Sequence, residues 1–136
     1  MPPELQAFAV GFPVMLLHAG VTLSLLALGL ALYVMLTPHR EIALVREGNV
    51  AAAVSLGGVF VGLALPLAAA MGASRSLIDV AVWGAATTVV QLLVLRLTDF
   101  VLPGLSRRIA GGEVAAAVLL ASAKLATGLV LAAAAR

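Results

Sequence analysis

The sequence predicts an all-α, polytopic membrane fold of four crossing helices built as two tandem helix-loop-helix repeats, and three observations carry that prediction. Hydrophobic residues make up 63% of the 136-residue chain and charged residues only 10%. A soluble domain is about half apolar and a quarter charged, and one this short leaves too much surface exposed to hide such a composition. Four apolar stretches are each long enough to cross a bilayer, which takes about 20 residues per helix. Finally, a phrase beginning at Gly48 returns 64 residues later at Gly112.

The four stretches lie at about 13–36, 50–71, 77–98 and 113–134. With no water in the hydrocarbon to satisfy the backbone, each is expected to be a helix. The first, "VMLLHAGVTLSLLALGLALYVML", is too long for the core of a signal peptide, and its leader "MPPELQ" lacks a basic region, so no cleaved signal is expected. Only short loops remain between the helices, leaving a single membrane domain over 1–136. Between helices one and two, "TPHREIALVREGN" reads as a short interfacial helix. Thr37 is its cap, Pro38 its first residue, and Ile42 and Val45 share one face. Gly48 closes it and Asn49 caps the next helix. "SLID", from Ser76 to Asp79, has capping-box spacing, with Asp79 and Arg75 forming a boundary pair. Tyr33 and Trp83, each near a helix end, read as interface anchors.

Basic residues give the orientation. Arg40, Arg46, Arg96, Arg107 and Arg108 fall on one side and only Arg75 and Arg136 on the other. Excess positive charge in short loops favours the cytoplasm, so both termini are expected to face outward, away from it. The pI near 9.9 therefore reports topology, and no nucleic-acid partner is expected, because the basic residues form no run. With no cysteine, disulfides, thiolate metal sites and iron–sulfur clusters are excluded.

Aligning 46–70 with 110–134 makes Gly48, Val50 to Val54, Leu56, Leu65 and Leu67 to Ala70 identical to their counterparts. Alanine-rich helices match by chance easily, but a glycine and a capping residue before "VAAAV" in the same register do not. The repeats run about 13–71 and 77–134. Each crosses twice, so both share one orientation and are related by a pseudo-twofold axis along the membrane normal. Gly58 and Gly62 have the spacing that lets membrane helices approach closely, and their counterparts are Ser122 and Ala126. Gly84 with Thr88, and Gly20 with Ser24, repeat the pattern on helices three and one. These small-residue faces imply a homodimer or higher homo-oligomer in the bilayer.

The phrases "TPHREIALVREGNVAAAVSLGG", "LPLAAA", "WG" and "LPGLSRRIAGGEVAAA" resemble the bacterial integral membrane protein family catalogued as domain of unknown function 350, over roughly 33–134. The resemblance implies a small integral membrane protein associated with envelope and membrane-stress genes. It supplies no catalytic residue.

Three polar residues within the predicted spans, Lys124, Gln91 and His18, are the candidates for an intramembrane polar site. Lys124 is near the middle of helix four, where a cation is expensive. With Glu4, Glu41, Glu47, Asp79, Asp99 and Glu113 all near helix ends or in loops, no acid is expected at its depth. It is left to snorkel, to lose its proton, or to find a partner or anion. Gln91 can bridge helices or hydrogen-bond Lys124. His18 is more readily a hydrogen-bonded side chain than a haem ligand, which would need a second axial group. No cofactor or metal is expected, and the sequence has no nucleophile triad, paired intramembrane carboxylates, phosphate loop or zinc motif. The sequence therefore points to a non-enzymatic scaffold or accessory subunit of an envelope complex. The alternative is a small anion or proton channel or transporter with Lys124, Gln91 and His18 along its path, Pro66 freeing a carbonyl toward it.

Overall fold

Two short helices interrupt four long ones. The computed structural model describes residues 1–37 and 41–135. In chain order the helices are α1 (Pro3–Leu36), α2 (Glu41–Arg46), α3 (Val50–Ala73), α4 (Leu77–Val101), α5 (Pro103–Ala110) and α6 (Val114–Ala134). Helices α1, α3, α4 and α6 are each long and apolar enough to cross a membrane, so this is an integral, all-α membrane protein.

Helix α1 begins at Pro3, ten residues before the start expected at 13. Pro3 occupies the first turn, where its missing N–H costs nothing, and the residues that follow continue the helix. At 1.5 Å per residue, its 34 residues span about 51 Å, well beyond the roughly 30 Å hydrocarbon core. Thr37 closes α1 instead of opening the next helix: its hydroxyl donates to the Tyr33 carbonyl at 2.6 Å. Pro38, the expected first residue of the short helix, lies outside the described residues. Helix α5 went unrecognised as a helix in "LPGLSRRIA", although Pro103 at its first position and Leu105, Ser106 and Ile109 on one buried face carry the signal.

Both short helices end the same way. Gly48 and Gly112 take φ of 85° and 88°, the left-handed region that glycine enters freely. Gly48 N–H donates to Val45 and Asn49 N–H to Leu44, as Gly112 does to Ile109 and Glu113 to Arg108, a paired closure that satisfies the last carbonyls. The starts of the long helices then differ. Asn49 caps α3 by accepting from Ala52 N–H at 3.1 Å, and its amide donates to the Ile109 and Ala110 carbonyls at the end of α5. Glu113 makes no capping bond; its carboxylate is held by Arg108 through Nε at 2.7 Å and through Nη2. That exposed pairing holds the Glu113 carboxyl below its usual range. At the opposite end, Ser76 caps α4 through Asp79 N–H. Asp79 accepts from the backbone amide of Arg75.

Helices α3 and α6 run parallel and touch closely. A Cβ on Gly58 would lie 2.7 Å from Ala121, one on Gly62 3.0 Å from the Lys124 carbonyl oxygen, and one on Gly128 2.7 Å from the Gly62 carbonyl oxygen. With lipid as solvent, such backbone approach carries helix association. The face α6 turns to α3 carries Ala117, Ala121, Lys124 and Gly128, whereas Ser122 and Ala126 are exposed. Gly84 and Thr88 face α1: Gly84 lies against Leu25, and Thr88 Cγ2 against Gly29. Gly20 and Ser24 are exposed. Leu105, Ile109, Ala51, Ala52, Ala116, Ala117 and Leu120 form one core cluster at the α2/α5 end, and Tyr33, Val59, Leu63, Leu92 and Leu95 another between α1, α3 and α4.

Candidate functional site

Lys124 sits in the middle of α6 and is fully buried. Side chains on a helix lean toward its N-terminus, so this one reaches toward the α2/α5 end of the bundle. Helix α4 ends where α6 begins, which sets Asp99, near the C-terminus of α4, in the path of the lysine. Lys124 Nζ lies 2.8 Å from Asp99 Oδ1. The expectation that no acid meets Lys124 is therefore corrected: the C-terminal end of α4 lies beside α6, and the long lysine side chain spans the remaining depth.

Tyr33 completes the arrangement from α1. Its hydroxyl donates to Asp99 Oδ2 at 2.7 Å and accepts from Lys124 Nζ, whose ammonium also stands 4.8 Å from the centre of the phenol ring. Tyr33 is fully buried, so it is no interface anchor; Trp83, by contrast, is 59% exposed. Three helices thus each contribute one group to a closed triangle of ammonium, carboxylate and phenol. Arg96, half-buried on α4, touches Asp99 Oδ2 at 3.5 Å from the rim. Glu41, the first residue of α2, is buried on the same side of the bundle, and its Oε2 has no hydrogen-bond partner among the described residues. Burial pushes its carboxyl above the usual range, Lys124 opposes that shift, and Asp99 adds to it.

Gln91 is also fully buried, and its partner is backbone. Pro66 in α3 has no N–H to offer the carbonyl four residues earlier, that of Gly62. Gln91 Nε2 donates to that oxygen at 2.9 Å, while its own Oε1 is buried with no partner among the described residues. Gly62 is the meeting point: Gln91 approaches it from α4, and the Lys124 backbone and Gly128 approach it from α6. Lys124 and Gln91 are thus packed on the same glycine without their side chains bonding each other. His18 stands apart. It is half-buried on α1, fifteen residues, or about 22 Å along the helix axis, before Tyr33. Its carbonyl accepts from Thr22 Oγ1 at 2.8 Å. Among the described residues, no three His, Asp or Glu side chains are grouped to hold a metal.

Chemically, this arrangement can hold charge and fix helices. An ammonium neutralised by a hydrogen-bonded carboxylate, in a site that excludes water, resists rearrangement because breaking it strands a charge. Tyr33, Asp99 and Glu41 are the residues that sequence reasoning passed over. The available signal was the antiparallel α4–α6 pair, which brings the end of one helix beside the lysine-bearing half of the other.

The chain is similar to the UPF0719 inner membrane protein YjfL of Escherichia coli (strain K12), at 34% identity over 100 residues, covering 74% of this chain and 76% of the relative. The same protein from Escherichia coli O157:H7 matches equally. No solved structure matches. The phrases that suggested a resemblance thus extend to the full bundle: the chain belongs to the family described as Domain of Unknown Function (DUF350), whose pattern covers residues 7–135.

Proposed function

We propose that this protein is a non-enzymatic component of a bacterial inner membrane, a scaffold or accessory subunit that assembles with itself and with other envelope proteins. The observation that carries this reading is the closed state of the polar site. Lys124 and Gln91 are fully buried, and the ammonium is engaged by Asp99 and Tyr33, which suits a structural lock better than a group waiting for substrate. The inner-membrane placement follows the relatives' printed description. The orientation rests on Arg46, Arg96, Arg107 and Arg108 at the α2/α5 end, which becomes the cytoplasmic end with both termini outward. The chain reads as two copies of one helix–short helix–helix unit, at about 13–71 and 77–134. This reading is supported by the matched closures at Gly48 and Gly112 and by the parallel course of α3 with α6. The exposed Ser122, Ala126, Gly20 and Ser24 are small residues available for packing between copies in a homodimer.

Gentle affinity purification from native membranes tests this role: recovery with a defined partner supports it, and recovery alone across several detergents and growth stresses contradicts it. Of a second reading, a small anion- or proton-conducting protein, the proton arm is the one favoured by the buried atoms Glu41 Oε2, Gln91 Oε1 and Ser55 Oγ, none with a partner among the described residues. Ion flux in liposomes that is abolished by Lys124→Leu supports the second reading. No flux for common anions, cations or protons removes it.

A further inference from the structure

Glu41 is buried, yet it begins a helix of only six residues at the end of the bundle. Among the described residues, the groups that face it leave its Oε2 without a hydrogen-bond donor. From α4, Asp99 already receives Lys124, the Tyr33 hydroxyl and, at longer range, Arg96. From α6, the Lys124 ammonium is divided between Asp99 and the Tyr33 oxygen. From α1, the Tyr33 hydroxyl proton is directed to Asp99 and the Thr37 hydroxyl to a backbone carbonyl. Helix α3, on which α2 packs, has no ionisable residue. Arg46 and Glu47 at the end of α2, and Arg107 and Arg108 on α5, whose core cluster Leu44 and Val45 pack against, are exposed. An ionised Glu41 would therefore be a second carboxylate competing for one ammonium. A protonated Glu41 carries no charge into the bundle and gains an O–H to donate.

We propose that Glu41 is a proton-binding residue and that α2 is its latch: α2 stays seated while Glu41 holds a proton, and loosens when the proton leaves and the new carboxylate draws on Lys124. The step is a simple transfer, Glu41–COOH releasing H⁺ to water at the α2 side, and no bond other than O–H breaks. A carboxyl that burial holds above its ordinary value supports the seated state fully below that ordinary value. The support is lost as pH rises through the raised value. The latch adds proton sensitivity to the Lys124–Asp99 pair whether the protein is a scaffold or a conductor.

The chain has no cysteine, so single cysteines report on α2 cleanly. Leu44, half-buried on α2, packs against the core cluster, whereas Glu47 is exposed. In the full chain in nanodiscs, maleimide labelling of Leu44→Cys is divided by that of Glu47→Cys at each pH, cancelling thiolate chemistry. The ratio is expected to rise as pH is raised above the ordinary carboxylate range, by no more than about tenfold per pH unit, the limit for one proton. Glu41→Gln, an isostere of the protonated acid, is expected to hold the ratio low throughout. Infrared difference spectra supply an independent reading: a protonated-carboxyl band that titrates over the same range and is absent in Glu41→Gln. A ratio that does not change with pH, a change that persists in Glu41→Gln, or the absence of that band overturns the proposal.

Discussion

A cation in the middle of a membrane helix is tolerated here because three helices close around it. Lys124 donates to Asp99 and to Tyr33, and Tyr33 donates to Asp99, so each group is satisfied by the other two. The phenol is the member whose removal is cleanest. Tyr33→Phe keeps the ring but deletes a hydroxyl that both accepts and donates. It is expected to destabilise the bundle by about 1–3 kcal/mol, read from unfolding in mixed micelles. An unchanged midpoint means the hydroxyl is idle. Lys124 and Gln91 were legible as exceptions in the sequence because polar residues inside apolar runs stand out. Tyr33 and Asp99 were not, since each sits near a helix end where such residues are ordinary. Their partners lie 66 and 91 residues apart for the two bonds to Tyr33, and only packing brings them together.

Close approach and backbone repair set the helix pairs. On α3, Gly58 meets Ala121 so tightly that any side chain displaces α6. Gly58→Val is expected to separate α3 from α6 and to lower stability by at least about 2 kcal/mol, as overpacking does. The equivalent repeat position in α6, the exposed Ser122, is expected to accept valine within about 0.5 kcal/mol. Equal losses at the two sites would mean that α6 turns the other face inward. The glycine spacing on α3 was visible in the sequence. The face of α6 was not, because the repeat alignment makes Ser122 and Ala126 the counterparts of Gly58 and Gly62, whereas α6 is rotated to bring Lys124 to Asp99. Pro66 and Gln91 form a second pair at this scale. Gln91→Leu is expected to cost about 1 kcal/mol, because the Gly62 carbonyl loses its donor. In a Pro66→Ala background, the restored backbone N–H serves that carbonyl, and Gln91→Leu is expected to cost markedly less. A full cost retained in that background would assign Gln91 some other partner.

Across the whole molecule, the four helices long enough to cross a bilayer were legible from hydropathy, and the glycine closures of the short helices from the turn chemistry of Gly48 and Gly112. The start of α1 was less legible, because Pro3 to Phe12 contain both helix formers and residues that suit an interface. What unites the bundle is the buried Lys124–Asp99 pair, a structural lock joining α6 to α4. A double-mutant cycle in lipid bilayers tests it most directly, using Lys124→Met, Asp99→Leu and the double variant, with unfolding free energy as the readout. Lys124→Met leaves Asp99 with the Tyr33 hydroxyl and the 3.5 Å rim contact of Arg96, and Asp99→Leu leaves Lys124 with the Tyr33 oxygen. Each is expected to cost about 3 kcal/mol, whereas the double variant, with two apolar side chains in place of the pair, regains most of that loss. Additive losses, or single variants as stable as the parent, would contradict the lock.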